Sequence, residues 1–220
     1  MSAEVKLSDL DVHKGPGQEK NLDEHENPIL VTGFGPFHYH TVNASWVAVQ
    51  GMAKLGIEHK SRQIPLKIAE IPVVYDVVSS DVPRLCEHVK PRLCVHVGVA
   101  PFNVIKIEKY GRNCGYKGPD IYGRVPPTKV CVADGPDYIE TQFNVDRLCA
   151  TLSKKQCDVV FEASQDAGRY LCDFIYYTSL HQGKAPVVFV HVPDLNKPYT
   201  AEQLAIALKG LIETLLEELP

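Results

Sequence analysis

Short apolar runs alternate along this chain with stretches whose apolar positions recur every three or four residues. This is the patterning of buried strands interleaved with amphipathic helices. Ile29-Leu30-Val31-Thr32 runs into Gly33 and predicts a first buried strand. A helix follows through Trp46, Val49, Met52 and Leu55, with Asn43 and Ser45 as caps and Gly56 as its stop. A second strand is expected near Lys60–Ile68, at a sheet edge or interrupted, because Pro65 removes a ladder donor. Val74 to Val89 carries helical spacing despite Pro83, and Leu93–Val99 is the strongest strand signal in the chain. Residues 104–138, rich in Gly, Pro and Tyr, predict extended segments and loops. Asn144 caps a helix from Val145 to Lys154, Val159-Val160-Phe161 opens a strand, and Arg169 to His181 reads as a helix after Gly168. Val187–Val192 is a further buried strand, ended by Pro193. The last helix starts near Thr200 with Glu202 in its first turn, and it places Leu204, Leu208, Leu211 and Leu215 on one face. Strands that are apolar on both sides need helices on both sides. The pattern therefore predicts a three-layer α/β/α fold with an open, mostly parallel but mixed, twisted sheet.

Composition narrows the classes. The 220 residues suit one ordinary domain, and neither an internal repeat nor a linker divides residues 28–220. The 23 Lys and Arg against 27 Asp and Glu leave a net charge of −4, without the broad basic surface that nucleic acid requires. No apolar run approaches the ~18 residues of a membrane span. The charge is uneven: residues 1–27 hold seven acids against Lys6, Lys14 and Lys20, which accounts for the whole net charge of −4. With few apolar residues and a Gly15-Pro16-Gly17 break, this segment is expected to be a disordered acidic tail. It lacks the basic start and apolar core of a signal peptide, so a cytoplasmic location is expected. The seven cysteines (86, 94, 114, 131, 149, 157 and 172) include no C-x-x-C pair and no zinc-finger spacing. Most read as small buried hydrophobes in a reducing compartment.

Three places could carry chemistry. Gly33-Phe34-Gly35-Pro36-Phe37-His38 follows a strand, but it lacks the third glycine of a dinucleotide fingerprint and Pro36 removes an amide. Its Phe34 and Phe37 are instead placed to wall a ligand crevice at a strand end. In Ser164-Gln165-Asp166-Ala167-Gly168-Arg169-Tyr170-Leu171-Cys172, a glycine turn leads into a helix with Cys172 in its first turns. There the unpaired amides and dipole favour a thiolate and can hold an oxyanion. Spacing alone favours the plainer reading, a helix cysteine packed beside Phe174, Ile175 and Tyr176. His191 ends its strand at the rim where Cys172 would emerge, whereas His96 lies inside its strand and reads as a satisfied core residue. A Cys–His pair needs a third group to orient the imidazole. Glu108 is the candidate, although on spacing alone, among Lys106 and Lys109, it reads better as a solvated strand residue.

Taken together, Val31-Thr32-Gly33-Phe34-Gly35-Pro36-Phe37, Asn43-Ala44-Ser45-Trp46, Ser164 to Cys172 and Phe189-Val190-His191-Val192-Pro193 resemble the pyroglutamyl-peptidase I family. Gly115-Tyr116-Lys117-Gly118, Asp134-Gly135-Pro136 and Tyr176-Tyr177-Thr178-Ser179-Leu180 resemble its vertebrate branch, within which composition favours the 1-like relatives. The resemblance spans roughly residues 28–218, with the motifs in order.

The resemblance implies a cysteine omega-peptidase that removes the N-terminal pyroglutamyl residue from peptides, with no metal or organic cofactor. It places the catalytic glutamate, cysteine and histidine on Glu108, Cys172 and His191. Phe34, Phe37, Tyr170 and Leu171 would line the lactam pocket. A pyroglutamyl group is a neutral, flat lactam, which aromatic walls and backbone hydrogen bonds suit better than a charged anchor. This chain departs from the family pattern at His38-Tyr39-His40 and at Pro101-Phe102, where the family carries smaller residues. These changes are expected to add bulk near the pocket. They leave open a second expectation: a catalytically weak or inactive relative that serves as a binding or regulatory protein.

Overall fold

The computed structural model describes residues 13–14, 27–37, 41–155 and 158–219. In chain order the elements are β1 (His13–Lys14), β2 (Ile29–Phe34), α1 (Ala44–Leu55), β3 (Glu58–His59), β4 (Arg62–Gln63), β5 (Leu66–Ile71), α2 (Tyr75–Val89) and β6 (Leu93–Val99). They continue as β7 (Ile105–Glu108), β8 (Tyr110–Arg112), β9 (Tyr138–Glu140), α3 (Val145–Lys155), β10 (Phe161–Ser164), α4 (Leu171–Gln182), β11 (Val187–Val192) and α5 (Ala201–Glu218). The main sheet runs β1-β5-β2-β6-β11-β7-β10. Its centre, β5-β2-β6-β11, is parallel, β7 is antiparallel to β11, and β10 is parallel to β7. The expected three-layer fold with a mixed, mostly parallel sheet is the one observed.

Both faces of the sheet are buried, as the unbroken apolar runs required. Val31, Val95, Val97, Val188 and Val190 pack under α1, α3 and α5. Leu30, Cys94, Val187 and Phe189 pack under α2 and α4. The helix boundaries follow local chemistry. Asn43 caps α1 by accepting from the Ser45 amide at 3.0 Å, and Gly56 closes it at φ 68°. Thr200 caps α5 in a reciprocal box with Gln203, one residue beyond the expected Glu202. Leu204, Leu208, Leu211 and Leu215 are fully buried along its inner face.

Two boundaries differ from expectation. The second strand begins at Leu66, immediately after Pro65, and lies inside the sheet between β1 and β2. Pro65 cannot donate, but its carbonyl still accepts from the Ile29 amide at 2.9 Å, so the ladder starts there instead of being interrupted. Residues 58–63 form the small β3–β4 hairpin. Helix α4 begins at Leu171, two residues later than the sequence suggests, which makes Cys172 its second residue. Of the expected acidic tail, His13 and Lys14 pair antiparallel with Ile68 and Lys67, and the rest lies outside the described residues. Cys157 and His38 to His40 also lie outside them. Among the described residues, no helix is long and apolar enough to cross a membrane.

Gly33 fixes how closely α1 approaches the strand that carries the first loop. A Cβ there would lie 2.8 Å from Trp46 Cα and 2.9 Å from its backbone nitrogen, atoms that cannot rotate aside. Gly33→Ala is expected to lower the unfolding free energy by about 1–3 kcal/mol. The measure is the urea midpoint, and an unchanged midpoint would contradict this account of the packing.

Candidate active site

The rim at the carboxyl ends of β2, β6 and β11 is where side chains of different elements converge. In the ladder, His191 stands opposite Gly98 on β6 and opposite Lys106 on β7, while Phe189 stands opposite Glu108. Directly opposed residues, and those two apart on a strand, share a face of the sheet. Glu108 and His191 therefore both project toward α4. Their contact is direct: Glu108 Oε1 lies 2.8 Å from His191 Nδ1, with Glu108 fully buried and His191 5% exposed. A carboxylate oxygen accepts, so Nδ1–H donates to it, and this holds Nε2 for the other side of the ring. The Cys172 sulfur lies close enough to act on the imidazole electrostatically, and both residues line one cavity. The second Glu108 oxygen has no partner among the described residues.

Cys172 is delivered by the turn that precedes α4. Gly168 takes φ 88°, a backbone region open to glycine, and its amide donates to Asp166 Oδ1 at 3.1 Å. Tyr170 then occupies the N-cap with no side-chain capping bond. The first helical bond runs from the Phe174 amide to the Tyr170 carbonyl at 3.0 Å, so the amides of residues 171–173 precede the helical ladder. Amides in this position at a helix start favour a negatively charged oxygen nearby. Gly98 makes room for the Cys172 sulfur, since a Cβ at this position would lie 2.7 Å from Cys172 Sγ and 2.8 Å from Phe189 Cζ. Asp173, fully buried next to Cys172 in the chain, accepts from the Arg112 amide and from Tyr116 Oη at 3.0 Å each and so ties the helix start to β8. Burial pushes its carboxyl up to about 6 against those two donors and Arg169.

The electrostatics separate the two strand histidines. Burial alone would push the His191 pKa down, but the Cys172 sulfur and the Glu108 carboxylate outweigh it and raise the value to about 9. His96 has no such anions: burial lowers it to about 3, and its ring contacts Thr32 Oγ1 at 2.7 Å and Ser179 Oγ at 2.8 Å. It is a satisfied neutral core residue, as its place in the strand implied. Burial also holds the thiols of Cys131 and Cys149 up, at about 12 and about 11. Among the described residues, no group of three or more His, Cys, Asp or Glu could hold a metal ion.

Cys172 and His191 open onto a cavity of about 180 Å³. Phe34, Phe37, Tyr170 and Leu171, the four residues expected to line a pocket, all line it. Asn43, Val73, Val99 and Ala167 complete the wall and were not singled out in the sequence. Asn43 had been read as a helix cap, and it is one. Its amide nitrogen donates to the Gly35 carbonyl at 2.9 Å and its oxygen accepts from Ser45, so cap and wall are the same side chain. Gly98 could have been found: a glycine inside an otherwise apolar strand marks a close approach.

Phe102 does not crowd this cavity, contrary to expectation. It belongs to the turn between β6 and β7, where its amide donates to the Ala100 carbonyl at 2.8 Å. Its ring meets the His191 ring edge-on, with centroids 6.3 Å apart, and Phe102 is not among the residues that line the cavity. Pro101 is exposed.

With this geometry in place, similarity to known proteins can be weighed. A family model described as Pyroglutamyl peptidase matches residues 27–210. Pyroglutamyl-peptidase 1 of Mus musculus is 47% identical over 196 residues, which cover 89% of this chain and 92% of the mouse protein. The pyroglutamyl-peptidase 1-like protein of Homo sapiens is 36% identical over 168 residues, covering 76% of this chain and 84% of its own. Pyrrolidone carboxyl peptidase from Thermus thermophilus, a crystal structure, aligns with a TM-score of 0.72 at 29% identity, over 84% of this chain and 98% of that one.

Two measurements check the site's geometry. The folded pKa of His191 lies above its ordinary 6.5, so the stabilisation from its protonation is complete below pH 6.5 and is lost as pH rises through about 9. An NMR titration of His191 is expected to show a midpoint near pH 9, and Glu108→Gln should bring it down by removing one of the opposing anions. A wild-type midpoint below 6.5 would contradict the contact. Gly98→Ala should displace the sulfur and slow iodoacetamide alkylation of Cys172 by roughly 10–100-fold. Unchanged labelling would show that the glycine is not needed.

Proposed function

This chain belongs to the pyroglutamyl peptidase family, and from that membership we propose that it is a cysteine omega-peptidase that hydrolyses the bond after an N-terminal pyroglutamyl residue. The observation that carries the proposal is Cys172 beside a His191 that is hydrogen-bonded to buried Glu108, at the mouth of an apolar cavity. Phe34, Phe37, Val73, Val99 and Leu171 offer the cavity no charge. Asn43 is fully engaged with Gly35 and Ser45, and the Tyr170 hydroxyl donates to the Pro119 carbonyl at 2.9 Å. An ammonium or a carboxylate set against these walls, away from Cys172 and His191, would lose its water without finding a counter-charge. A lactam loses little, being neutral and flat. This supports peptides with an N-terminal pyroglutamate as substrates and disfavours their uncyclised counterparts.

In the proposed mechanism Cys172 attacks as a thiolate, with the imidazolium of His191 as its partner. The sulfur adds to the pyroglutamyl carbonyl carbon, and the oxygen takes the negative charge against the first amides of α4. As the C–N bond breaks, His191 Nε2 gives its proton to the departing amine and leaves an acyl thioester on Cys172. The neutral imidazole then takes a proton from water, which attacks the thioester; the C–S bond breaks and pyroglutamic acid is released. Glu108 holds the ring by Nδ1 throughout and stabilises its charged form. No step calls for a metal or organic cofactor, and nucleic acid and membranes are not among the proposed partners. The free thiols of the six described cysteines support a cytoplasmic, reducing location. Phe102 is not among the cavity-lining residues, which removes one of the two grounds for an inactive binding protein, the other being His38 to His40.

The test is turnover of a pyroglutamyl amide with a fluorogenic leaving group. The wild-type protein should hydrolyse it, while the corresponding glutamyl amide should be cleaved at least roughly 100-fold more slowly. Cys172→Ala should abolish turnover, and His191→Ala should lower it by roughly 100-fold or more with the fold intact by circular dichroism. A wild-type protein that turns over neither amide would overturn the proposal.

A further inference from the structure

Beyond the cavity, the far side of His191 has a structure of its own. The proposed mechanism fixes a direction. The acyl part of the substrate fills the cavity, and the nitrogen that leaves must meet His191 Nε2. The residue after pyroglutamate therefore passes His191 on the side that the cavity walls do not close. Phe102 and Lys106 border His191 without lining the cavity. Lys106 is opposite His191 in the antiparallel ladder, and its side chain comes up on the same face. Its Nζ lies 3.7 Å from the centre of the Phe102 ring, which in turn meets the His191 ring edge-on. Both side chains are half-buried.

The ammonium of Lys106 forms no ion pair among the described residues. Glu162, its neighbour in register on β10, does not reach it, and Glu108 is engaged with His191. The Phe102 face holds the cation in place by its quadrupole but leaves the charge uncompensated. A fixed, partly desolvated cation one side chain away from the leaving-group site attracts a carboxylate more strongly than a solvated surface lysine would.

Resting on the peptidase function proposed above, we infer that Lys106, held over Phe102, is a specificity-determining residue for the leaving side of the substrate. It favours pyroglutamyl peptides whose second residue carries a carboxylate. That carboxylate has two sources, an acidic side chain or the free terminus of a dipeptide. The shared chemistry is an anion within one residue of the scissile bond.

Matched substrates test this with the full chain. One pair is pyroglutamyl-glutamate amide against pyroglutamyl-glutamine amide; the other is pyroglutamyl-alanine against its amide. In at least one pair the carboxylate member should show a kcat/KM higher by roughly fivefold at low ionic strength, and added salt should narrow the gap. The pair that shows the preference identifies the source of the anion. Lys106→Arg should keep the ratio, and Lys106→Glu should reverse it, which a purely structural role would not do. If Lys106→Glu does not fold, the wild-type ratios and their salt dependence decide alone. Equal or lower kcat/KM for the carboxylate member of both pairs, with the fluorogenic amide still turned over, overturns the inference and leaves the peptidase reading standing. Loss of turnover on every substrate, the fluorogenic amide included, overturns that reading and the inference with it.

Discussion

The buried contact between Glu108 and His191 is the constraint around which the site is built. Glu108 is fully enclosed, and one of its oxygens has no partner, so compensation for the carboxylate falls on the imidazole 2.8 Å from the other. The same contact opposes burial at His191 and keeps the ring protonated through neutral pH. It also explains why the sheet is mixed. After β6 ends at the rim, the short turn through Phe102 sends β7 back down beside β11, antiparallel to it. Glu108 thereby comes to lie beneath His191, opposite Phe189, where it can hold the ring from below. The same reversal sets Lys106 beside His191 at the rim.

The cavity depends on a different economy. Its polar side chains are nearly all committed to the scaffold: Asn43 to the α1 cap and the Gly35 carbonyl, and the Tyr170 hydroxyl to Pro119. What faces the interior is apolar surface and the start of a helix. Such a site recognises a ligand mainly by shape and by the absence of charge. Selectivity on the leaving side calls for another device, and Lys106 over Phe102 is the uncompensated charge available there.

Close approaches convert these pieces into one geometry. Glycine at 33 brings α1 against β2, and with it Asn43 and the Phe34 loop. Glycine at 98 gives the Cys172 sulfur its place beside the sheet. Asp173, one residue past the nucleophile, anchors the helix start to Arg112 and Tyr116. Burial raises the pKa values of the half-buried Cys131 thiol and the buried Cys149 thiol, so both stay protonated at neutral pH.

Much of this was legible in the sequence, for local reasons. Apolar runs such as Leu93–Val99 and Val187–Val192 declare strands buried on both faces, and that alone requires helices on both sides. Asn43, Gly56 and Thr200 mark helix ends because capping is settled within a few residues. The motifs around Phe34, Cys172 and His191 identified the family and its candidate residues. What the sequence could not decide is anything that depends on strand register or loop direction. On spacing alone, Glu108 reads better as a solvated strand residue among lysines, and Cys172 as a packed helix residue. Only the pairing of β7 with β11 brings the carboxylate to the imidazole, and only the closeness permitted by Gly98 seats the sulfur beside it. Phe102 was read as bulk in the pocket because nothing local shows which way its turn faces. In the tertiary structure it packs edge-on against His191 and does not line the cavity, since ladder register and turn direction are set by contacts between residues far apart in the chain.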